Sequence, residues 1–322
     1  MKKRGFTIVE FMVLFGIFVI LLSIFFPYLL KLRENDRRAQ CASNLKQIGD
    51  ALKMYANDND KNFPRVVYDE ADMPSGYNCF SGPDDDNPFA PDSKVQPNDV
   101  TASLWLLVRQ GWVSPTAFVC PGSTDSRDLM TDSAGRFVKP MQRGNFRKPS
   151  NLSYSYASPF SNALNFKLNS DFLNLYFGLV ADKNPGIGPT SDVTAPAYSA
   201  DPLELSRANS LHHGRAGQNV LYPSGFVLFQ RTPYAGANYG QSSGDNIYTV
   251  RAPQPATQPT ELPFTVSGYC GEQLSPTTPD DSFLVPTAQD QPSPSRIVVP
   301  PPTTEPATTP TTAPTQPATT GS

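Results

Sequence analysis

Residues Phe6 to Phe26 read FTIVEFMVLFGIFVILLSIFF, 21 residues with a single ionisable group, Glu10. At 1.5 Å per residue this is about 31 Å of helix, enough to cross a bilayer. A cleaved secretory signal has a shorter apolar stretch followed by a small-residue cleavage site. Here the chain runs on through Pro27-Tyr28-Leu29-Leu30 into an amphipathic stretch, so the segment is expected to be retained as a membrane anchor. Lys2, Lys3 and Arg4 before the span are matched by Lys31, Arg33, Arg37 and Arg38 after it, so the positive-inside count does not orient it.

Glu10 lies one turn into the apolar run. A carboxylate in hydrocarbon costs a few kcal/mol, so it marks function and requires a partner unless it is merely tolerated near the interface. The residues before it are Lys2-Lys3-Arg4-Gly5, followed by Phe6-Thr7-Ile8-Val9-Glu10. This pattern resembles the prepilin leader of the type IV pilin and type II secretion pseudopilin families. In those families a membrane peptidase cuts after the leader glycine and the new terminal phenylalanine is N-methylated. The resemblance implies cleavage between Gly5 and Phe6, N-methylation of Phe6, and pairing of Glu10 with the terminal amine of a neighbouring subunit. Two opposite charges in a low dielectric relieve each other's desolvation. Pro27 falls where many pilins carry a helix-kinking proline. The implied partners are a prepilin peptidase, other pilin or pseudopilin subunits and an inner-membrane assembly platform. The implied location is the cytoplasmic membrane, single-pass, with the N-terminus cytoplasmic and the head in the periplasm or at the cell surface.

Beyond the span, Tyr28, Leu32, Ala39, Ala42, Leu45, Ile48, Leu52 and Tyr55 recur at mostly three- and four-residue steps, with charged and polar residues between them. This predicts one helix from residue 6 to 57, about 78 Å long, with one face for a globular head. Asn57-Asp58-Asn59 should stop it, and Pro64 bars continuation. The run at 39–49, AQCASNLKQIG, is similar to that of pilin-like proteins of planctomycete-type bacteria. Cys41 within it reads as a small apolar helix residue.

The expected head spans 58–250. Residues 58–100 read as a long surface loop. Asp58, Asp60 and Asn62 open like a calcium loop, but Phe63 stands where an EF-hand needs glycine and no suitably spaced Glu follows. Because some secretion pseudopilins bind calcium in their heads, another oxygen-rich calcium site in the head stays open, with no residues assigned; no other cofactor is expected. Thr101 to Gly111 predicts a short buried helix capped by Thr101 or Asp99, with Trp105, Leu106 and Trp112 as core. Strands are predicted at Asn151–Ala157 and Leu173–Ala181, and a hairpin at 219–230 across Pro223-Ser224-Gly225. An antiparallel sheet packed on the helix face gives an α+β, pilin-like fold.

His212 and His213 are the two histidines in the chain. Asn209 to Tyr222 is similar to a C-terminal motif of the planctomycete group, although Ser224-Gly225-Phe226-Val227 lacks that motif's Asp and second His. Adjacent residues on a strand point to opposite faces, so the pair reads as structural, with no metal ligand assigned. Cys41, Cys79, Cys120 and Cys270 have no CxxC spacing. A pair such as Cys79 with Cys120 could be bridged, and Cys270 could staple the later chain to the head, but sequence does not choose among the pairings. Gly240-Gln241-Ser242-Ser243-Gly244 fits GxSxG formally, yet lacks the strand before and helix after that a nucleophile elbow needs. With no phosphate loop and no catalytic carboxylate pair, no enzyme is expected.

Proline limits the remainder. Of 34 prolines, 16 fall in the last 72 residues, which argues against one compact enzyme filling the chain. A net charge of -3 gives no footprint for nucleic acid. Residues 251–296 read as a loop-rich extension with short strands at Leu262–Tyr269 and Ser282–Val285. Residues 297–322 read as a disordered Pro/Thr-rich tail with too little apolar surface to offset its ordering entropy. The expected divisions are thus a leader at 1–5, a membrane helix at 6–30, its amphipathic continuation at 31–57, the head, the extension and the tail. The expected function is a structural subunit of a pilus or pseudopilus-like filament. The alternatives are a membrane-anchored ligand- or glycan-binding module that does not polymerise, and an anchored surface enzyme.

Overall fold

A computed structural model of the chain describes residues 7–69, 80, 82, 87–132, 134–161, 163, 166–186, 192–194, 196, 198–237, 244–250, 265–267, 275–276 and 278–285. Gly5, Phe6, Cys79, Cys270, most of the GxSxG run and the tail at 297–322 lie outside the described residues.

One helix, α1 (Ile8–Asp58), dominates the architecture. Thr7 starts it through a capping box. Its hydroxyl accepts from the Glu10 amide at 3.3 Å, and Glu10 Oε2 accepts from the Thr7 amide at 2.9 Å. Pro27, which lacks an N–H, lies inside the helix without ending it. The stop comes one residue later than the sequence predicts, where Asp60 and Lys61 adopt φ of 51° and 64° and the Lys61 amide closes back on the Ala56 carbonyl at 2.7 Å.

The two halves of α1 differ in environment. The large apolar side chains from Ile8 to Leu32 are exposed, and burial sets in with Cys41, Asn44, Leu45, Ile48, Gly49, Ala51, Leu52 and Ala56. Tyr28, Leu32 and Ala39, expected on the head-facing side, are exposed. The head-facing stripe therefore starts about three turns later than the periodicity implies. Leu45, Ile48 and Leu52 are completely buried, each stabilising the junction by roughly 1.5–3 kcal/mol.

A four-stranded antiparallel sheet packs on this stripe, in the order β1 (Tyr154–Tyr156), β2 (Val180–Asp182), β4 (Gln218–Leu221), β5 (Val227–Gln230). A separate two-stranded antiparallel ribbon pairs β3 (Asp192–Thr194) with β6 (Thr265–Ser267). The fold is α+β, as expected. The β4–β5 hairpin turns where the sequence predicts. The Tyr222 amide donates to the Phe226 carbonyl at 3.1 Å, and Gly225 takes the φ of 86° that the turn requires. Helix α2 (Val100–Arg109) is capped by Asp99, whose carboxylate accepts from the Ala102 amide at 2.8 Å. Trp105 packs edge-on to Phe146 in the core, and Trp112 packs edge-on to Tyr55.

Two expected strands are shorter than their apolar runs. From Leu173 to Ala181 the chain joins the sheet only from Leu179 onward, because Asn169 just before the run and Asn174 within it use their side chains to accept the Asp171 and Tyr176 amides and bend the chain into turns. At Ser282–Val285 a single bridge joins Leu284 to Ala157. Phe283, Leu284 and Val285 are nonetheless buried, so this stretch, placed by sequence in the extension, belongs to the head's core.

Candidate functional site

At the N-terminal end of α1, Glu10 also accepts from the Thr7 hydroxyl at 2.8 Å. The carboxylate is thereby held toward the start of the helix, beside the peptide that follows Phe6. The sequence-assigned cleavage and methylation positions, Gly5 and Phe6, lie outside the described residues. Pro27 sits on the exposed half of the helix, 17 residues from Glu10.

The second constellation lies where α1 meets the head. Cys41 comes from α1 and Cys120 from the loop after a short 3-10 turn (Pro115–Phe118). Asp182 ends β2, while His213 comes from a 3-10 turn (His212–Arg215) just before β4. One sulfur, oxygen or nitrogen from each lies within 4.8 Å of all the others, and all four residues are buried. Cys41 Sγ donates to Asp182 Oδ1 at 2.9 Å, and Cys120 Sγ lies 3.4 Å from His213 Nε2. His213 Nε2 is 3.7 Å from Asp182 Oδ2, which also accepts from the Asn219 amide at 2.7 Å.

Local backbone chemistry explains the convergence. His213, Gly214 and Arg215 all have positive φ, 55°, 63° and 60°. For His213 and Arg215 this left-handed conformation costs on the order of 1–3 kcal/mol each, sustained by the surrounding packing. Gly122 supplies the space for the ring, since a Cβ there would stand 2.7 Å from His213 Cε1. On the far side of the ring, His213 Nδ1 pairs with Glu34 Oε1 at 2.8 Å, and Glu34 lies two helical turns before Cys41 on α1. His212 Nδ1 is buried and lies 3.7 Å from Asp182 Oδ1, close enough to pair with its charge but beyond hydrogen-bonding distance.

The charges are strongly coupled. Burial, reinforced by Cys120 and Asp182, pushes the Cys41 thiol far up, whereas the neighbouring Cys41 draws the Cys120 thiol down, with His212 and His213 adding to it against burial. Burial opposes the imidazolium of His212, yet Asp182 and Cys120 raise it to about 9. Asp182 stays below the usual carboxylate range despite its burial because both histidines and Cys41 stabilise the anion.

Two expectations are corrected here. The two histidines do not lie on a strand with diverging side chains. The left-handed turn brings a nitrogen of each to 3.7 Å from an oxygen of Asp182. Cys41 is buried, as a small apolar residue would be, but its sulfur engages Asp182 and also accepts from the Tyr154 hydroxyl at 3.4 Å. Cys120 brings its thiol into this cluster, and Cys79, considered as its disulfide partner, lies outside the described residues. Asp182 was not singled out by sequence, and its one signal is an acid ending an apolar run, Gly178-Leu179-Val180-Ala181-Asp182. The calcium-like residues are otherwise engaged in part. Asn169 Nδ2 donates to the Asp60 carbonyl at 3.1 Å and to Asn62 Oδ1 at 3.0 Å.

Residues 31–147 match a family described as "Protein of unknown function (DUF1559)". The match covers the amphipathic half of α1, α2 and the Cys120 loop, and stops before Asp182 and the histidines. No curated protein and no solved structure matches the chain.

Proposed function

We propose that the chain is a structural subunit of a pilin- or pseudopilin-type filament, processed after Gly5 and methylated on Phe6, with Glu10 pairing to the terminal amine of a neighbouring subunit. The observation that carries this reading is the division of α1. One continuous helix exposes apolar side chains from Ile8 to Leu32 and buries its other end in an α+β head. An apolar surface of that extent requires lipid or other helices around it. A helix that packs into a filament core after storage in the membrane meets both needs. The prepilin-like residues from Lys2 to Glu10 supply the processing signal that a simple anchor does not need.

Coexpression with a prepilin peptidase, mass spectrometry of the mature N-terminus and crosslinking between subunits test the reading. The expected result is a methylated Phe6 terminus and a ladder of crosslinked subunits; an uncut Gly5–Phe6 bond overturns it.

One observation favours a second reading, an anchored ligand- or glycan-binding module. A groove of about 800 Å³ opens at the head end of α1, lined by Tyr55, Arg65, Tyr68, Phe166, Lys167 and Phe172 among others. Aromatic faces beside cationic side chains suit sugar rings and anionic groups. Processing without self-association, together with binding of glycans to the head, would support this module over the filament subunit.

A further inference from the structure

We propose that Cys41, Cys120, Asp182 and His213 ligate one divalent cation of the zinc class, and that this ion fastens the helix to the head. Two sulfurs, an imidazole nitrogen and a carboxylate oxygen are the donors that such borderline-soft ions take, and four protein ligands with no open position are the mark of a structural site. Tetrahedral coordination at zinc–ligand lengths of about 2.0–2.3 Å requires ligand–ligand separations of about 3.3–3.8 Å. Cys41 Sγ is 2.9 Å from Asp182 Oδ1, Cys120 Sγ is 3.4 Å from His213 Nε2 and His213 Nε2 is 3.7 Å from Asp182 Oδ2, the other oxygen of that carboxylate; with one ligand atom taken from each residue, all four lie within 4.8 Å of one another. Shifts of roughly an ångström or less therefore convert the cluster into a coordination sphere.

Three further features bear on the same point. Glu34 Oε1 accepts from the Nδ1–H of His213 at 2.8 Å, which leaves Nε2 facing the sulfurs; a carboxylate behind a ligating imidazole is the usual orienting arrangement in metal sites. Gly122 leaves room for the ring where any Cβ would collide with it. Backbone strain at His213 is retained in a turn whose effect is to aim that ring at the sulfurs. On ion binding, Cys41 gives up to solvent the proton that it now donates to Asp182 Oδ1, Cys120 likewise binds with its thiol proton lost to solvent, and two thiolates, one carboxylate and a neutral imidazole face the dication.

A nearby alternative for two buried thiols in an extracytoplasmic head is a Cys41–Cys120 disulfide, and the experiment separates the two. The full-length chain is purified in detergent without chelator or reductant, supplied with zinc and then freed of loose metal. Metal content is measured, cobalt is substituted to read thiolate charge-transfer and tetrahedral d–d bands, and alkylation mass spectrometry follows the Cys41 and Cys120 peptides. The expected result is about one zinc per chain, a tetrahedral thiolate–cobalt spectrum and two thiols that a chelator exposes to alkylation. Cys41→Ser and Cys120→Ser should each abolish stoichiometric binding. Should these variants fail to accumulate, Glu34→Gln and Gly122→Ala carry the test, the former lowering zinc affinity about 10–100-fold. A Cys41–Cys120 disulfide in the native chain overturns the proposal. So does a zinc-exposed chain that holds no ion while both thiols remain free, and so does unchanged affinity in Glu34→Gln and Gly122→Ala together.

Discussion

Arg143 grips both carboxylate oxygens of Asp128, Nη1 to Oδ1 at 2.9 Å and Nη2 to Oδ2 at 2.6 Å, with the two side chains 5% and 0% exposed. The pair belongs to a larger arrangement. Asp128 also accepts from the Met130 and Arg147 amides, Arg143 lies over the Trp105 ring at 4.8 Å, and the Arg143 carbonyl accepts from Trp105 Nε1. The ion pair thus ties α2 to the loop that leads into β1.

Removing one partner leaves a buried charge without compensation. Asp128→Ala is expected to destabilise the head by about 3–5 kcal/mol, read as a lowered urea midpoint with an unchanged slope. Replacing Asp128 and Arg143 together by apolar residues should cost much less than the sum of the single changes.

The same pair sets an acid limit. Burial raises the Asp128 carboxyl, but the hydrogen bonds from Arg143, Arg147 and Met130 outweigh it and hold the group below the ordinary value. The folded-state value therefore lies under the unfolded one. Its stabilisation is complete above the unfolded carboxylate range and is lost as pH falls through the folded value. Urea midpoints measured from pH 6 downward should fall more steeply in the parent than in an Asp128→Asn variant.

Glu10→Ala is expected to leave membrane insertion and peptidase cleavage intact while abolishing crosslinked ladders. Removing a carboxylate from hydrocarbon makes insertion easier, so a lost ladder in this variant reports subunit pairing rather than targeting. Ladders equal to those of the parent would assign the carboxylate no part in assembly.

Trp105→Ala should cost about 3–5 kcal/mol, since the side chain is completely buried and packs edge-on to Phe146 at 5.0 Å. Thermal unfolding of the full chain in detergent provides the measurement. A change under 1 kcal/mol would mean that α2 contributes little to the head.

Much of the fold was legible because its signals are local. The apolar run, the three- and four-residue spacing from Leu45 to Leu52, the Asp99 cap and the turn at Gly225 each act within a few residues. The Leu173–Ala181 run misled because two asparagine side chains, which hydropathy does not register, bend it before it can pair. The cluster was the least legible element. Cys41 and Asp182 stand 141 residues apart, and their meeting depends on a sheet register and on the left-handed turn at His213. A histidine pair reads as divergent only if the backbone is a strand, and the left-handed φ shared by His213, Gly214 and Arg215 makes it a turn instead.

The unbroken course of α1 has a geometric consequence. Between Glu10 and Cys41 the chain climbs 31 residues of one helix, about 46 Å, with each residue adding about 100° of rotation. The compass bearing of the head about the spine, relative to the side on which Glu10 emerges, is thereby written into residue count. One residue inserted near Leu30 would swing the whole head by more than a quarter turn, while seven would return it almost to its first bearing, two turns higher.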